Sequence, residues 1–381
     1  MTSTAMAPRS RIASIDIVRG AVMVLMAVDH VRVFAGVPTY GDPPVFFTRW
    51  ITHFCAPVFI FLAGTAAYLY GRKVESRAVL SKFLLVRGAW LVLLELTLLR
   101  FGWTFNFDYA SFTFAGVIWV IGWSMIVLAA LVYLSPRVVG IIGLAIIFGH
   151  NAVAPLFYDD SVSWLSRVLY VGGDFQVGPF NVVVLYVLIP WLGVMAAGYG
   201  FGLVMEWSAE KRRRFCIRAG LAAVALFFLL RAIGIYGDPR PWERDSGILG
   251  FLNATKYPVS LIYLLMTLGP MLIVLPLLEN AQGRLAGWLR VFGSVPFFYY
   301  VLHIPLIHLI ALLISLVRTP EATGWLIANH PMMPPEQPAG YMWNLWLLYL
   351  VTAFAVVLLY FLCRWFARVK RSSPSPFVRL F

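Results

Sequence analysis

Ten apolar runs constrain this chain more than anything else in it. They fall at about 15–35, 50–70, 83–101, 112–134, 138–156, 180–205, 217–236, 258–278, 291–316 and 342–366. Each is long enough to cross, or nearly cross, a hydrocarbon layer about 30 Å thick. The segments between them are too short to fold as separate domains. Composition agrees, since 61% of the 381 residues are hydrophobic and only 12% are charged. Soluble domains run at about 45–50% and about 25%. The sequence therefore predicts an all-α integral membrane protein of about ten transmembrane helices. Residues 1–14 read as a cytoplasmic N-terminal segment, 15–366 as the membrane domain and 367–381 as a basic cytoplasmic tail. The N-terminus lacks a small-residue cleavage site, so the first run is expected to remain as the first span.

The net charge of +13 does not point to nucleic acid, because the basic residues sit in short loops where they set topology. With the N-terminus inside, one side holds Arg9, Arg11 and Arg19, the cluster from Arg72 to Arg87, Arg137, the run from Lys211 to Arg218, Arg284 and Arg290, and Arg364 to Arg379. The other side holds the sparser Arg32, Arg49, Arg100, Arg167, Arg240, Arg244, Lys256 and Arg318. This asymmetry puts both termini in the cytoplasm. Cys55, Cys216 and Cys363 are far apart and show neither a disulfide framework nor metal spacing, so no metal is expected.

The outer segments are the more elaborate ones. Residues 37–49 carry a Gly-Asp-Pro-Pro turn signal. Residues 157–179 hold Asp159, Asp160 and Asp174, 237–257 are polar with two prolines and Trp242, and 317–341 are Pro-rich. Together they are expected to roof a site on the outer face.

Ionisable groups at membrane depth are costly and are functional candidates. The first run has Asp16 and Arg19 at one end and Asp29, His30 and Arg32 at the other. Thirteen helical residues separate the aspartates, about 20 Å. Asp16 with Arg19, and Asp29 with Arg32, equally fit local i,i+3 ion pairs. All six histidines (His30, His53, His150, His303, His308 and His330) fall on the outer side. Asp29, His30 and His53 are expected at a shared depth. There an imidazole acts as general base and a carboxylate orients it. His303 is the next candidate, on a helix interrupted by Pro296 and Pro305, with Tyr299 one turn before it. Glu95, Arg100 and Arg231 read as groups that pair to hold helices together. No internal repeat is evident, which weakens a transporter reading.

RIASIDIVRG at 11–20, followed by an apolar helix and RWITHFCAPVFIFLAG at 49–64, resembles the transmembrane acyltransferases related to heparan-α-glucosaminide N-acetyltransferase, above all their short bacterial members. TKYPVSLIYLLMTLGP at 255–270 and FGSVPFFYYVLHIPLIH at 292–308 are similar to stretches of that group, so the resemblance runs from residue 11 to about 310. It implies ten or more helices, acetyl-CoA as cytoplasmic donor, a CoA-sized inward cleft, and transfer to an amino sugar across the membrane. In the lysosomal member the active-site histidine lies between the first two conserved helices. Here that segment, GVPTYGDPPVFFTRW, has none, and the substitutes at hand are His30 and His53.

The expected function is a multi-pass acyltransferase of the bacterial cytoplasmic membrane. It moves an acyl group, acetyl by resemblance, from acyl-CoA to an extracytoplasmic sugar or glycan. Its catalytic candidates are His30, His53, Asp29 and His303. Arg19, Arg87 and Arg290, with Asp16 beside them, are candidates for the CoA phosphates. Arg32, Lys256, Tyr257 and Tyr299 are candidates for the acceptor. The bilayer, acyl-CoA and the glycan are the expected partners, and a homodimer is left open. The rival is a proton-coupled transporter or flippase using Asp29, His30 and His53; a scaffold without turnover is a third reading. Reporter fusions test the topology. Fusions in the 71–82 loop and just after Lys211 are expected to read cytoplasm, and fusions in 157–179 and 237–257 to read outside. A cytoplasmic signal from 237–257 breaks the ten-span order.

Overall fold

The computed structural model describes residues 12–38, 41–158, 162–373, 375 and 378. Arg9, Arg11, Asp159, Asp160, Arg379 and most of the predicted N-terminal segment lie outside them. Every predicted apolar run contains a helix. In chain order these are α1 (Ala13–Phe34), α2 (Pro43–Trp50) continuing into α3 (Cys55–Gly71), α4 (Arg77–Leu94) and α5 (Arg100–Thr104), α6 (Val117–Leu131), and α7 (Pro136–Val153). After the short α8 (Trp164–Ser166) come α9 (Leu188–Phe201), α10 (Ala209–Ile233), the short α11 (Gly247–Leu252), α12 (Leu261–Leu277), α13 (Arg284–Ser294), α14 (Pro296–Arg318), the short α15 (Thr323–Leu326) and α16 (Leu345–Ser372). Six helical stretches are long and apolar enough, by length and composition, to cross a membrane: 43–71, 136–157, 188–206, 209–233, 296–318 and 345–372. The protein is thus a multi-pass membrane protein, and by this measure six of the ten predicted runs qualify as spans. α6 and α12 are apolar but have 15 and 17 residues. α1 and α4 are long but carry more charge.

Several expectations change. Gly-Asp-Pro-Pro starts a helix rather than only turning the chain. Asp42 caps α2 by accepting from the Val45 amide at 3.2 Å, with proline in the first turn, where a missing N–H costs nothing. The predicted fourth and sixth runs begin as strands, not helix. β1 (Thr113–Ala115), β2 (Gly173–Val177) and β3 (Phe180–Val184) form a sheet in the order β1-β3-β2. β1 is parallel to β3, and β2 is antiparallel to it. The all-α expectation therefore fails locally. A short buried strand running on into an apolar helix has no period of its own to mark the change. Gly178, with φ +57°, makes the β2–β3 turn. The predicted ninth run breaks at Val295, because Pro296 disfavours helical backbone in the residue before it; Val295 has φ −133° and ψ 53°. α16 runs on through residues 367–372, which had been read as tail.

α1 is the centre of the bundle, packed against α3, α12, α13, α14 and α16. Its closest contact is backbone to backbone. A Cβ on Gly20 would lie 2.0 Å from the Leu289 carbonyl oxygen, and one on Gly293 would lie 1.9 Å from that of Asp16. Such small-residue contacts supply the close packing that membrane helices rely on where water provides little drive. Gly20→Val is therefore expected to cost about 1–3 kcal/mol or more, seen as a lowered unfolding temperature of the purified protein in detergent. An unchanged melting curve would mean that α13 does not sit on α1 in this way.

Candidate active site

The C-terminal half of α1 carries two polar groups that go in different directions. Asp29 pairs with Arg32, Oδ1 to Nε, at 3.2 Å, and Arg32 also donates to the Val37 carbonyl at 3.0 Å, closing the end of the helix. His30 turns instead to α14, where its Nδ1 lies 2.6 Å from His303 Nε2. Trp103 meets the His30 ring edge-on at 4.7 Å. Among the described residues no hydrogen bond joins Asp29 to His30 or His53, so the expected carboxylate–imidazole dyad is replaced by an imidazole–imidazole pair.

The proton positions in this pair follow from hydrogen-bond chemistry. His303 Nδ1 lies 2.7 Å from the Tyr300 carbonyl oxygen and 3.2 Å from that of Tyr299. A carbonyl only accepts, so Nδ1 carries the hydrogen and the Nε2 of a neutral His303 is a bare lone pair. His30 Nδ1 must then donate to it. This leaves His30 Nε2 with a lone pair of its own, the atom of the pair that can take up a proton. Tyr299 stacks on His303 at 5.3 Å, and its hydroxyl donates to the Met23 carbonyl at 2.9 Å. It ties α14 to α1.

On the side of the chain termini, a cavity of about 250 Å³ opens between α1, α3, α4, α6 and α14. Its walls are apolar, with Phe59, Leu84, Ile118 and Phe297 among them, but Arg19 and Arg87 both line it. Tyr300 lines it as well, and it is the Tyr300 carbonyl that receives the His303 proton. Two hydrogen bonds thus separate the cavity wall from His30. The four sequence candidates for CoA divide here. Asp16 pairs with Arg19 at 3.7 Å, and Arg19 donates to the Gly293 carbonyl at 3.3 Å. Asp16 itself lines a second cavity with Arg290.

A third cavity, about 260 Å³, lies under the 237–257 loop on the opposite side, and it brings Arg49, Lys256 and Tyr257 together with Arg240 and Trp242. Its frame is Arg231, which pairs with Asp238 at 3.2 Å and donates to the carbonyls of Arg240, Gly250, Phe251 and Asn253. Asp238 also accepts from the Thr255 amide and hydroxyl. His53 borders this side. Its Nδ1 donates to the Arg49 carbonyl at 3.0 Å, and its Nε2 lies 3.5 Å from Arg49 Nη1. The Tyr257 hydroxyl donates to that of Tyr186 at 3.4 Å. Arg32, by contrast, is engaged at the end of α1.

The other histidines serve packing. His308 donates to the Gly102 carbonyl at 3.1 Å and stacks between Phe34 and Phe105. His330, in the 317–341 loop, donates to the Trp325 carbonyl at 3.0 Å, and burial pushes its pKa down to about 4. His150 meets the Tyr170 hydroxyl at 3.0 Å. Of the groups expected to pair and hold helices together, Arg231 forms an ion pair, with Asp238, and among the described residues Glu95 and Arg100 do not. Arg100 donates to the carbonyls of Phe112, Asn106 and Asp108 and to Thr104, shaping the loop that leads to β1. Glu95 sits in a π-turn after α4, with its carboxyl against Gly116 at the first turn of α6, where unpaired amides and the helix dipole favour a carboxyl group. The His30–His303 contact spans 273 residues of sequence. No spacing announces it; depth was the one available signal, and it grouped His30 with His53.

A family model described as "Heparan-alpha-glucosaminide N-acetyltransferase, catalytic" matches residues 11–235. The segments at 255–270 and 292–308 lie beyond the match. No curated protein matches the chain.

Proposed function

This chain belongs to the heparan-α-glucosaminide N-acetyltransferase catalytic family, and on that premise we propose that it is a membrane acetyltransferase using acetyl-CoA as donor and an extracytoplasmic sugar or glycan as acceptor. In this reading ten helices cross the membrane, both termini are cytoplasmic, and the membrane is the bacterial cytoplasmic one. One observation carries the reading. Arg19 and Arg87 line an apolar cavity on the termini side that leads to Tyr300, and the Tyr300 carbonyl holds the tautomer of the His303–His30 pair. Arginines at the cavity suit the anionic oxygens of CoA, and the apolar walls suit its pantetheine arm and acyl group.

In the proposed step the acceptor amine or hydroxyl attacks the thioester carbonyl. His30 Nε2 takes the proton as the new C–N or C–O bond forms. The C–S bond then breaks, and the proton passes to the departing thiolate. His303 is a positioning residue. It fixes the His30 tautomer and, through its own hydrogen bond, supports the imidazolium that forms. Arg49, Lys256 and Tyr257 hold the acceptor in the outer cavity, with His53 at its border. Asp29 and Arg32 keep the end of α1 closed.

His30→Ala is expected to lower kcat by about 10²–10⁴-fold, the usual contribution of a general base, with donor binding unchanged. His303→Ala should lose less and should move the pH profile of kcat, which a merely structural change would not do. Normal turnover by both variants would end this assignment, and turnover lost only in His53→Ala would move the base to the acceptor side.

Acetyl-CoA is expected to bind the purified protein and to dissociate as salt rises, because charge holds its phosphates. Arg19→Gln and Arg87→Gln should each weaken binding about tenfold, the scale of one hydrogen bond to a charged group. A folded wild type that binds no CoA would remove the donor.

A further inference from the structure

The cavity that takes Asp16 and Arg290 has no part in the proposed transfer. It measures about 340 Å³ and lies between the start of α1, α13 and the last turns of α16. Arg290, Ser294, Lys370 and Arg371 line it, with Val291 and Val295 on the apolar side. The lining thus carries three basic side chains and one carboxylate, Asp16, which also pairs with Arg19. Arg290 donates through Nη2 to the Ala281 carbonyl, but its Nε is buried and has no partner among the described residues. A buried donor of a charged group left unmade is costly, by about 1–3 kcal/mol or more, and an anionic oxygen in this cavity would satisfy it.

Other faces of the same two helices indicate which anion is at hand. On α16, Phe361 and Trp365 are 61% and 54% exposed, and on α13, Leu285 and Trp288 are 67% and 55% exposed. Large apolar and aromatic side chains in this number belong against acyl chains and their border with head groups. Lys370 and Arg371 follow directly on this lipid-facing stretch. The Asp16–Arg19 pair stands between this cavity and the one that Arg19 and Arg87 line.

We propose that the cavity holds the phosphodiester of an anionic phospholipid from the leaflet on the side of the chain termini. Basic pockets between membrane helices recognise such head groups by charge and hydrogen bonding, and the guanidinium of Arg290 fits phosphate oxygens. The CoA nucleotide offers the same phosphate chemistry. The exposed apolar faces of α13 and α16 and the Asp16–Arg19 pair beside the donor cavity favour the lipid. The site does not depend on the acyltransferase reading.

The test uses the full chain, purified in detergent. Phosphatidylglycerol and phosphatidylcholine are titrated against it, and bound lipid is read by native mass spectrometry. Wild type is expected to retain phosphatidylglycerol in preference. Arg290→Gln, and separately Lys370→Gln with Arg371→Gln, should weaken that binding about tenfold each and leave phosphatidylcholine binding unchanged. The paired α16 substitutions lie near the end of a helix, and an unchanged melting curve shows that they fold. In a second arm, acetyl-CoA binding is measured in nanodiscs of phosphatidylcholine alone, where the same variants should bind donor as wild type does. An undiminished phosphatidylglycerol preference in both variants overturns the proposal. So does a loss of CoA binding in the zwitterionic discs, which would assign the cavity to the donor nucleotide. Failure of every protein to bind CoA leaves the lipid arm intact and counts only against the acetyltransferase reading.

Discussion

In a medium without water, a buried polar group that finds no partner within the protein is costly. The architecture follows from how this chain limits that cost. Arg32, Arg100 and Arg231 each direct a guanidinium at backbone carbonyls where helices end and loops begin. The groups satisfied are those a helix terminus or a loop leaves unpaired. Each arginine thereby fixes a local structure: the end of α1, the loop before β1, and the cavity under 237–257. His303 obeys the same rule on a smaller scale. Its Nδ1 finds the Tyr300 carbonyl within its own helix, and this single contact decides which nitrogen of His30 is left open.

α1 carries these arrangements to one another. At one end the Asp16–Arg19 pair lies against α13, and at the other the Tyr341 hydroxyl donates to the Phe34 carbonyl and the Trp343 amide to that of Ala35, holding the helix to residues 341–343. Between these anchorages, glycine contacts allow no slack. A helix so confined gives His30 a fixed station relative to both the cavity that Arg19 and Arg87 line and the one under 237–257. Proteins that must align two substrates benefit from such rigidity, because small displacements of reacting groups cost large factors in rate.

The sequence made the broad fold legible because apolar runs of this length admit few alternatives. Ten runs became ten helical regions, although four of them fall short of a simple length-and-charge measure. The boundaries were less legible for stated reasons. Pro296 splits a continuous apolar run, Asp42-Pro43 turns an apparent loop into a helix start, and Val182 to Val184 belong to a strand that merges into the run ahead of α9. In the candidate site, the residue types were readable and their pairings were not. His30 and His303 were both visible as candidates at the outer side. Their contact depends on how α14 lies on α1, which no local pattern encodes. Nearness in sequence suggested Asp29 as the partner of His30, and Arg32, three residues on, had the better geometry. Glu95 and Arg100 were readable as buried ionisable groups, but not that Arg100 would serve the carbonyls of the loop before β1 and Glu95 lie against the start of α6.

One consequence of the Tyr300 contact remains. A wire for protons needs, beyond each donor, another group able to accept. The far end of the His30–His303 pair is an amide oxygen engaged inside a helix, far too weak a base to hold a proton in transit. The pair is therefore a cul-de-sac. A proton gained at His30 Nε2 has no through-route along these two rings and must leave by the face it entered. That is a poor design for coupling an ion gradient to transport, and a serviceable one for a base that lends itself to a reaction and is restored within the same turnover.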